Sequence, residues 1–210
     1  EEDAHEYLNE FLERIESICK SMNQKSIVHN LFESSMHVTL KCPNCGVISS
    51  SSEIFNCISL DVKGFKSLHD SLTHIFEVED IESFNCDHCG KSVTIQKQSS
   101  FSHTARYLFF HLKRFEYNSK DNVRVKIYDE FCFEPTLLLP VADKTIRYQL
   151  KGIITHSGDA NRGHYVSYIK EKDGWIEFND TEVNACSNIN SMFHICFGSN
   201  HVSFLVHFYQ

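Results

Sequence analysis

Two groups of residues in this chain have the types and spacing that chemistry requires. The first is Gly163-His164-Tyr165-Val166-Ser167-Tyr168, followed after Lys172-Asp173-Gly174 by Trp175-Ile176-Glu177-Phe178-Asn179-Asp180. Both runs read as strands, and the Lys-Asp-Gly between them is a turn signal, so they are expected to pair as a hairpin. Pairing brings Asn179 or Asp180 beside His164. An imidazole held in one tautomer by an amide or carboxylate can take a proton from a nucleophile. A lone His at a strand start is more often structural. Here Gly163 permits close backbone approach, a polar loop over 156–162 leads in, and the Asn-Asp pair waits on the adjacent strand. The sequence shows no obvious nucleophile to complete the set.

The second group is Cys42-Pro43-Asn44-Cys45-Gly46 and Cys86-Asp87-His88-Cys89-Gly90. Two residues between thiolates let both sulfurs reach one tetrahedral ion, and the Gly supplies the positive φ of the tight turn. Two such knuckles are expected to bind one structural zinc (Zn2+), with Cys42, Cys45, Cys86 and Cys89 as ligands. Four sulfurs leave no open position, so the metal is expected to hold the fold and not to catalyse. His88 is expected to face solvent. The alternative is two free or redox dithiols. The other five cysteines (Cys19, Cys57, Cys132, Cys186 and Cys196) lie among apolar neighbours and read as core.

Elements must hold these groups in place. Residues 1–22 read as a helix, with Leu8, Phe11, Leu12, Ile15, Ile18, Cys19 and Met22 on one inward stripe and Glu1, Glu2, Asp3 and Glu6 in the opening turn. Short strands are expected over 36–60. A second helix is expected over 67–76, opened by a Ser67/Asp70 capping box, with Leu68, Leu72, Ile75 and Phe76 inward. From residue 92 the pattern is β. Ser92–Gln98 alternates, and a central strand Tyr107–Phe115 with Val123–Val125, Tyr148–Thr155, His164–Lys170, Trp175–Phe178 and Ser203–Tyr209 is expected to build a sheet of about six strands. Lys120-Asp121-Asn122 reads as a turn. No linker or repeat divides the chain, so one α+β domain with a metal-stapled extension is expected.

The bulk numbers narrow the function classes. The net charge of −8 disfavours nucleic acid and favours a basic protein or peptide. No apolar run reaches membrane-spanning length, and no signal peptide is read. Scattered thiols suit a reducing compartment, so cytoplasm or nucleus is expected. The chain starts at Glu1, which reads as the inside of a helix, and truncation is expected from that.

His156-Ser157-Gly158-Asp159-Ala160-Asn161-Arg162-Gly163-His164-Tyr165 and the Trp175–Asp180 run resemble the His and Asn/Asp boxes of the ubiquitin-specific proteases, papain-like deubiquitinating enzymes. The run from Glu1 to Ile15 is similar to that family's QQDAHEF helix, Leu108–Tyr117 to its Leu-x-Arg-Phe strand, and the two knuckles to its zinc ribbon. The resemblance spans essentially the whole chain. It implies a papain-like thiol protease fold: a partial helical thumb over 1–35, zinc-ribbon fingers over 36–100, and an antiparallel palm sheet over 101–210. It implies that His164 is the general base, that Asn179 orients it, and that Asp180 assists. It implies that Asp3 and Glu6 meet the basic tail of ubiquitin, and that His156, Gly163 and Tyr165 border the channel for that tail. The family's Gly-x-x-Asn-x-Gly-Asn-x-Cys box has no counterpart here. The resemblance therefore implies a cysteine deubiquitinase whose nucleophile is not among these residues, a monomer that binds ubiquitin and ubiquitinated proteins. The alternative is a catalytically dead ubiquitin-binding pseudoenzyme module.

Overall fold

The computed structural model describes residues 3–186 and 200–209. In chain order the elements are α1 (Ala4–Ser21), α2 (Ile27–Phe32), β1 (Ser34–Lys41), β2 (Ile48–Phe55), β3 (Cys57–Asp61), α3 (Leu68–Phe76), β4 (Glu79–Cys86), β5 (Lys91–His103), β6 (Tyr107–Lys113), β7 (Phe115–Asn118), β8 (Val123–Lys126), β9 (Thr136–Val141), β10 (Lys144–Gly158), β11 (Gly163–Glu171), β12 (Gly174–Asn179), β13 (Glu182–Cys186) and β14 (Asn200–Tyr209).

Among the described residues these strands form two main sheets and a ribbon. The smaller sheet runs β2-β1-β5-β4, all antiparallel, and carries both Cys knuckles at one end. The larger has eight strands in the order β13-β12-β11-β10-β14-β6-β3, with β9 alongside the first half of β10. It exceeds the expected six strands because β3, β9 and β13 join it. The expectation of a purely antiparallel sheet holds except at its edge, where β3 lies parallel to β6. Ser92–Gln98 belongs to the smaller sheet. Val123–Val125 leaves the sheet as well and pairs with Phe115–Asn118 in the separate β7–β8 ribbon. The expected strand Tyr107–Phe115 breaks at Arg114, whose buried guanidinium donates to the carbonyls of Val202, Ile127 and Asp129.

The core sits on the larger sheet. Leu60, Phe110, Leu150, Ile153 and Leu205 are fully buried there. Tyr148 is buried with them, and its hydroxyl donates to the carbonyl of Ala105 and accepts from the Thr104 hydroxyl, so the polar tip of an otherwise apolar side chain is satisfied. α3 starts on Ser67, whose hydroxyl accepts from the Asp70 amide, and lays Leu68 and Leu72 onto this core.

α1 departs from expectation. It begins at Ala4 with Asp3 as its N-cap, the Asp3 carboxylate accepting from the amides of His5 and Glu6. Glu1 and Glu2 lie outside the described residues. Of its apolar stripe only Leu12 is buried, while Phe11, Ile18 and Met22 stand about half exposed or more. Amphipathic spacing requires a partner surface, and among the described residues α2 covers only part of this one. The scattered cysteines also divide. Cys19, Cys57 and Cys186 are partly buried, but Cys132 is exposed, contrary to the core reading, at an isolated bridge to Ser67. Cys196 lies outside the described residues.

Candidate active site and candidate metal centre

β10 and β11 form a hairpin whose last pairs are Ser157 with His164 and Gly158 with Gly163. His164 therefore sits one residue from the turn, at the open end of the sheet. β11 and β12 pair with Ser167 opposite Phe178. Continued one step, that register puts Asn179 opposite Val166, on the face of His164 and diagonal to it. The side chains meet, with His164 Nε2 2.6 Å from Asn179 Oδ1. An amide oxygen only accepts, so Nε2 carries the proton and Nδ1 keeps its lone pair. Asp180, by contrast, is exposed in the two-residue turn between β12 and β13 at φ 54°. It borders a groove with Ala4, Tyr7 and Phe178.

The remaining residues expected at a substrate channel fall into one cleft, except Glu6, which is exposed on the first turn of α1. Asp3, His156, Gly163 and Tyr165 line that cleft, together with Phe115, Arg124 and the turn 159–162. The turn is closed locally: Asp159 N donates to the Arg162 carbonyl, and the Asp159 carboxylate accepts from the amides of Asn161 and Arg162. Those two amides hold the Asp159 carboxyl below its usual range.

His156 corrects the sequence reading. It is not in a loop but on β10, and it is 4% exposed. Its ring lies between Phe115, edge-on, and Tyr165, tilted at 4.7 Å. A Cβ added at Gly163 would stand 1.9 Å from His156 Nε2 and 2.4 Å from the Ser157 carbonyl oxygen. Only glycine permits that approach.

Sequence reasoning missed Lys126. In Val123-Arg124-Val125-Lys126 the two valines are exposed and the lysine is buried, the reverse of what alternation suggests. Its Nζ donates to His156 Nδ1, the His156 carbonyl and the Gly158 carbonyl, each at 2.9 Å. Burial, and secondarily the Arg114 charge, pushes its pKa down to about 8, against the pull of Asp159.

At the far end of the smaller sheet, the sulfurs of Cys42, Cys45, Cys86 and Cys89 lie within 4.8 Å of one another. Cys42 and Cys89 are 3.7 Å apart, and Cys45 and Cys86 are 3.9 Å. Those are the edges of a tetrahedron with metal–sulfur bonds of about 2.3 Å, and are far too long for a disulfide. The two knuckles share one backbone form: Gly46 N donates to the Cys42 carbonyl and Gly90 N to that of Cys86, with φ of 72° and 66°. The Cys45 amide draws the Cys42 thiol down to about 7, whereas contact with the Cys45 sulfur, followed by burial, pushes Cys89 up to about 12. Four sulfurs so close favour a shared cation. The donor set fits a structural zinc ion. His88 is exposed.

The profile described as "Ubiquitin carboxyl-terminal hydrolase" matches residues 1–194. Ubiquitin carboxyl-terminal hydrolase 5 of Schizosaccharomyces pombe is 33% identical over 193 residues, covering 86% of this chain and 17% of that protein. Ubiquitin carboxyl-terminal hydrolase 21 of Arabidopsis thaliana is 33% identical over 207 residues, covering 89% of this chain and 28% of that one. The chain thus spans well under half the length of these relatives. Among solved structures, the SAGA Ubp8/Sgf11/Sus1/Sgf73 DUB module bound to ubiquitin aldehyde superposes with a TM-score of 0.86 at 26% identity, covering 100% of this chain and 50% of the matched chain.

Proposed function

Because this chain belongs to the ubiquitin carboxyl-terminal hydrolase family, we propose that it is the base-and-orienter portion of a cysteine deubiquitinase that hydrolyses the (iso)peptide bond at the C-terminus of ubiquitin. The observation that carries this reading is the 2.6 Å contact between His164 Nε2 and Asn179 Oδ1. It fixes the tautomer in which Nδ1 can accept a thiol proton. The thiolate attacks the carbonyl carbon of the terminal glycine, the bond from that carbon to the amine nitrogen breaks, and the imidazolium returns the proton to the leaving amine. Water, deprotonated by the same ring, then releases ubiquitin from the acyl-enzyme. Asn179 stays neutral throughout and stabilises the imidazolium by accepting from Nε2.

The cysteines support a nucleophile from outside these residues. Four of them suit the metal centre. Cys57 sits in β3, where burial pushes its thiol up to about 12, so it is not a thiolate at neutral pH. Cys42, Cys45, Cys86 and Cys89 would hold zinc, which would cross-link the two knuckles and leave no coordination position for substrate. The cleft lined by Asp3, His156, Gly163 and Tyr165, with Glu6 nearby on α1, is proposed to take the basic tail of ubiquitin. The net charge of −8 favours such a partner. Asp180, exposed beyond Asn179, would assist through solvent. The free cysteines support a cytoplasmic or nuclear setting, and the protein is proposed to act as a monomer.

Mixing this chain with ubiquitin bearing a C-terminal fluorophore tests the reading. Binding without release is expected. Release would overturn the assignment of the nucleophile to other residues. No chemical-shift change in labelled ubiquitin on titration would overturn the functional reading itself.

A further inference from the structure

Lys126 is an unusual use of a lysine. It is 4% exposed, and it sits at the end of β8, outside the sheet that carries His164. All three of its donors are spent on one short stretch of β10: the ring and carbonyl of His156 and the carbonyl of Gly158. Gly158 pairs with Gly163, and the His156 ring lies against Gly163 so closely that no Cβ fits. The next residue is His164.

We propose that Lys126 is a positioning residue for His164: it grips the end of β10 and fixes the tautomer of His156, and the His156 ring sets the backbone from which His164 reaches Asn179. An ammonium group can only donate, so His156 Nδ1 accepts and Nε2 carries the proton. The contact is thus directional, and it couples the ribbon to the hairpin through one ring. The inference rests on the reading of His164 as general base.

The groups facing the ammonium are Arg114, Asp159, His156 and the Tyr128 ring, the last with its centroid 5.6 Å away. Arg114 and burial disfavour the charge, and Asp159 favours it. Loss of one proton near pH 8 leaves two N–H groups for three acceptors. One contact must then fail, or His156 must move its proton to Nδ1 and donate to the amine. The grip on the hairpin therefore loosens in mildly alkaline solution.

The test is long-range proton–nitrogen NMR of the histidine-labelled chain, alone and as Lys126→Met and Lys126→Arg. In the native chain at neutral pH, His156 is expected to carry its proton on Nε2. In Lys126→Met the His164 Nε2 proton, held by Asn179, is expected to exchange with water several-fold faster, because that contact weakens. Lys126→Arg, which keeps donors, is expected to restore much of the protection. A native His156 protonated on Nδ1, or a Lys126→Met chain with unchanged exchange of the His164 Nε2 proton, would overturn the proposal. If Lys126→Met does not fold, the native chain alone decides: raised from neutral pH, its His156 and His164 signals must move together with a midpoint near 8, and flat signals refute the coupling. No ubiquitin is present, so a failure to bind ubiquitin would sink the functional reading without touching this result.

Discussion

The two ends of the molecule solve opposite problems. At the cysteine end, four ligands from two knuckles converge within 4.8 Å, and every ligand the centre requires comes from the chain. At the histidine end, His164 and Asn179, the proposed base and its orienter, meet at 2.6 Å, a cleft opens beside them, and Phe11, Ile18 and Met22 stand about half exposed or more. One end is a finished staple. The other is, on the proposed function, a socket whose parts are pre-set for a nucleophile and a substrate. A staple can be read from spacing alone, because its parts act on one another. A socket shows its meaning only through geometry, because its parts act on something else.

The sharpest way to break this contrast is to remove the staple. Chelation, or Cys42→Ser, is expected to release one metal per chain and to collapse the smaller sheet. Structural zinc in small peptides is worth about 10–16 kcal/mol at neutral pH, so this loss exceeds any single substitution at the other end. Metal analysis with thermal melting checks it, and an unchanged melt would mean that the cysteine end does not depend on its metal. Acid comes next. Burial holds His207 down to about 3 and His111 down to about 4, against an ordinary value near 6.5. The unfolded chain then binds more protons between about pH 6.5 and 3, so stability is full above that window and falls as pH drops through it. His207→Leu is expected to flatten part of that fall in acid melting curves.

Gly163→Ala is aimed at the socket. Its Cβ would collide with the His156 ring, and a loss of about 1–3 kcal/mol is expected, read by denaturant unfolding, with the metal content unchanged. The smallest effect on stability is expected from Asn179→Ala, about 1 kcal/mol. It should nevertheless lower the titration midpoint of His164, because the imidazolium loses the oxygen that stabilises it. A melt altered as much as by Gly163→Ala would mean that Asn179 is chiefly structural.

How much of this was legible in the sequence follows the same division. The knuckles were, because Cys-x-x-Cys-Gly specifies a local turn that the backbone at Gly46 and Gly90 adopts. The hairpin of His164 and Asn179 was, because alternation and a turn signal fix a register between neighbours in sequence. The burial of His156 was not: a polar stretch rich in turn formers reads as a loop, yet β10 continues through it, paired with β11 on one side and β14 on the other, and Lys126 takes two of its carbonyls. Lys126 itself was hidden by alternation of the wrong sign. The parallel β3–β6 pairing joins residues about fifty apart, and no local pattern encodes such a contact. The stripe on α1 was correctly periodic, but periodicity does not say what covers it.

That parallel pairing also bears on the order of events when the chain folds. Between β3 and β6 the polypeptide leaves the larger sheet, builds α3, β4 and β5, and returns. The two strands can meet only after that excursion closes on itself, and closure of a long flexible loop costs entropy that grows with the logarithm of its length. An ion joining Cys42 and Cys45 to Cys86 and Cys89 would close the excursion early, around β3 and α3. Zinc present during refolding should then raise the folding rate itself, and not merely slow unfolding.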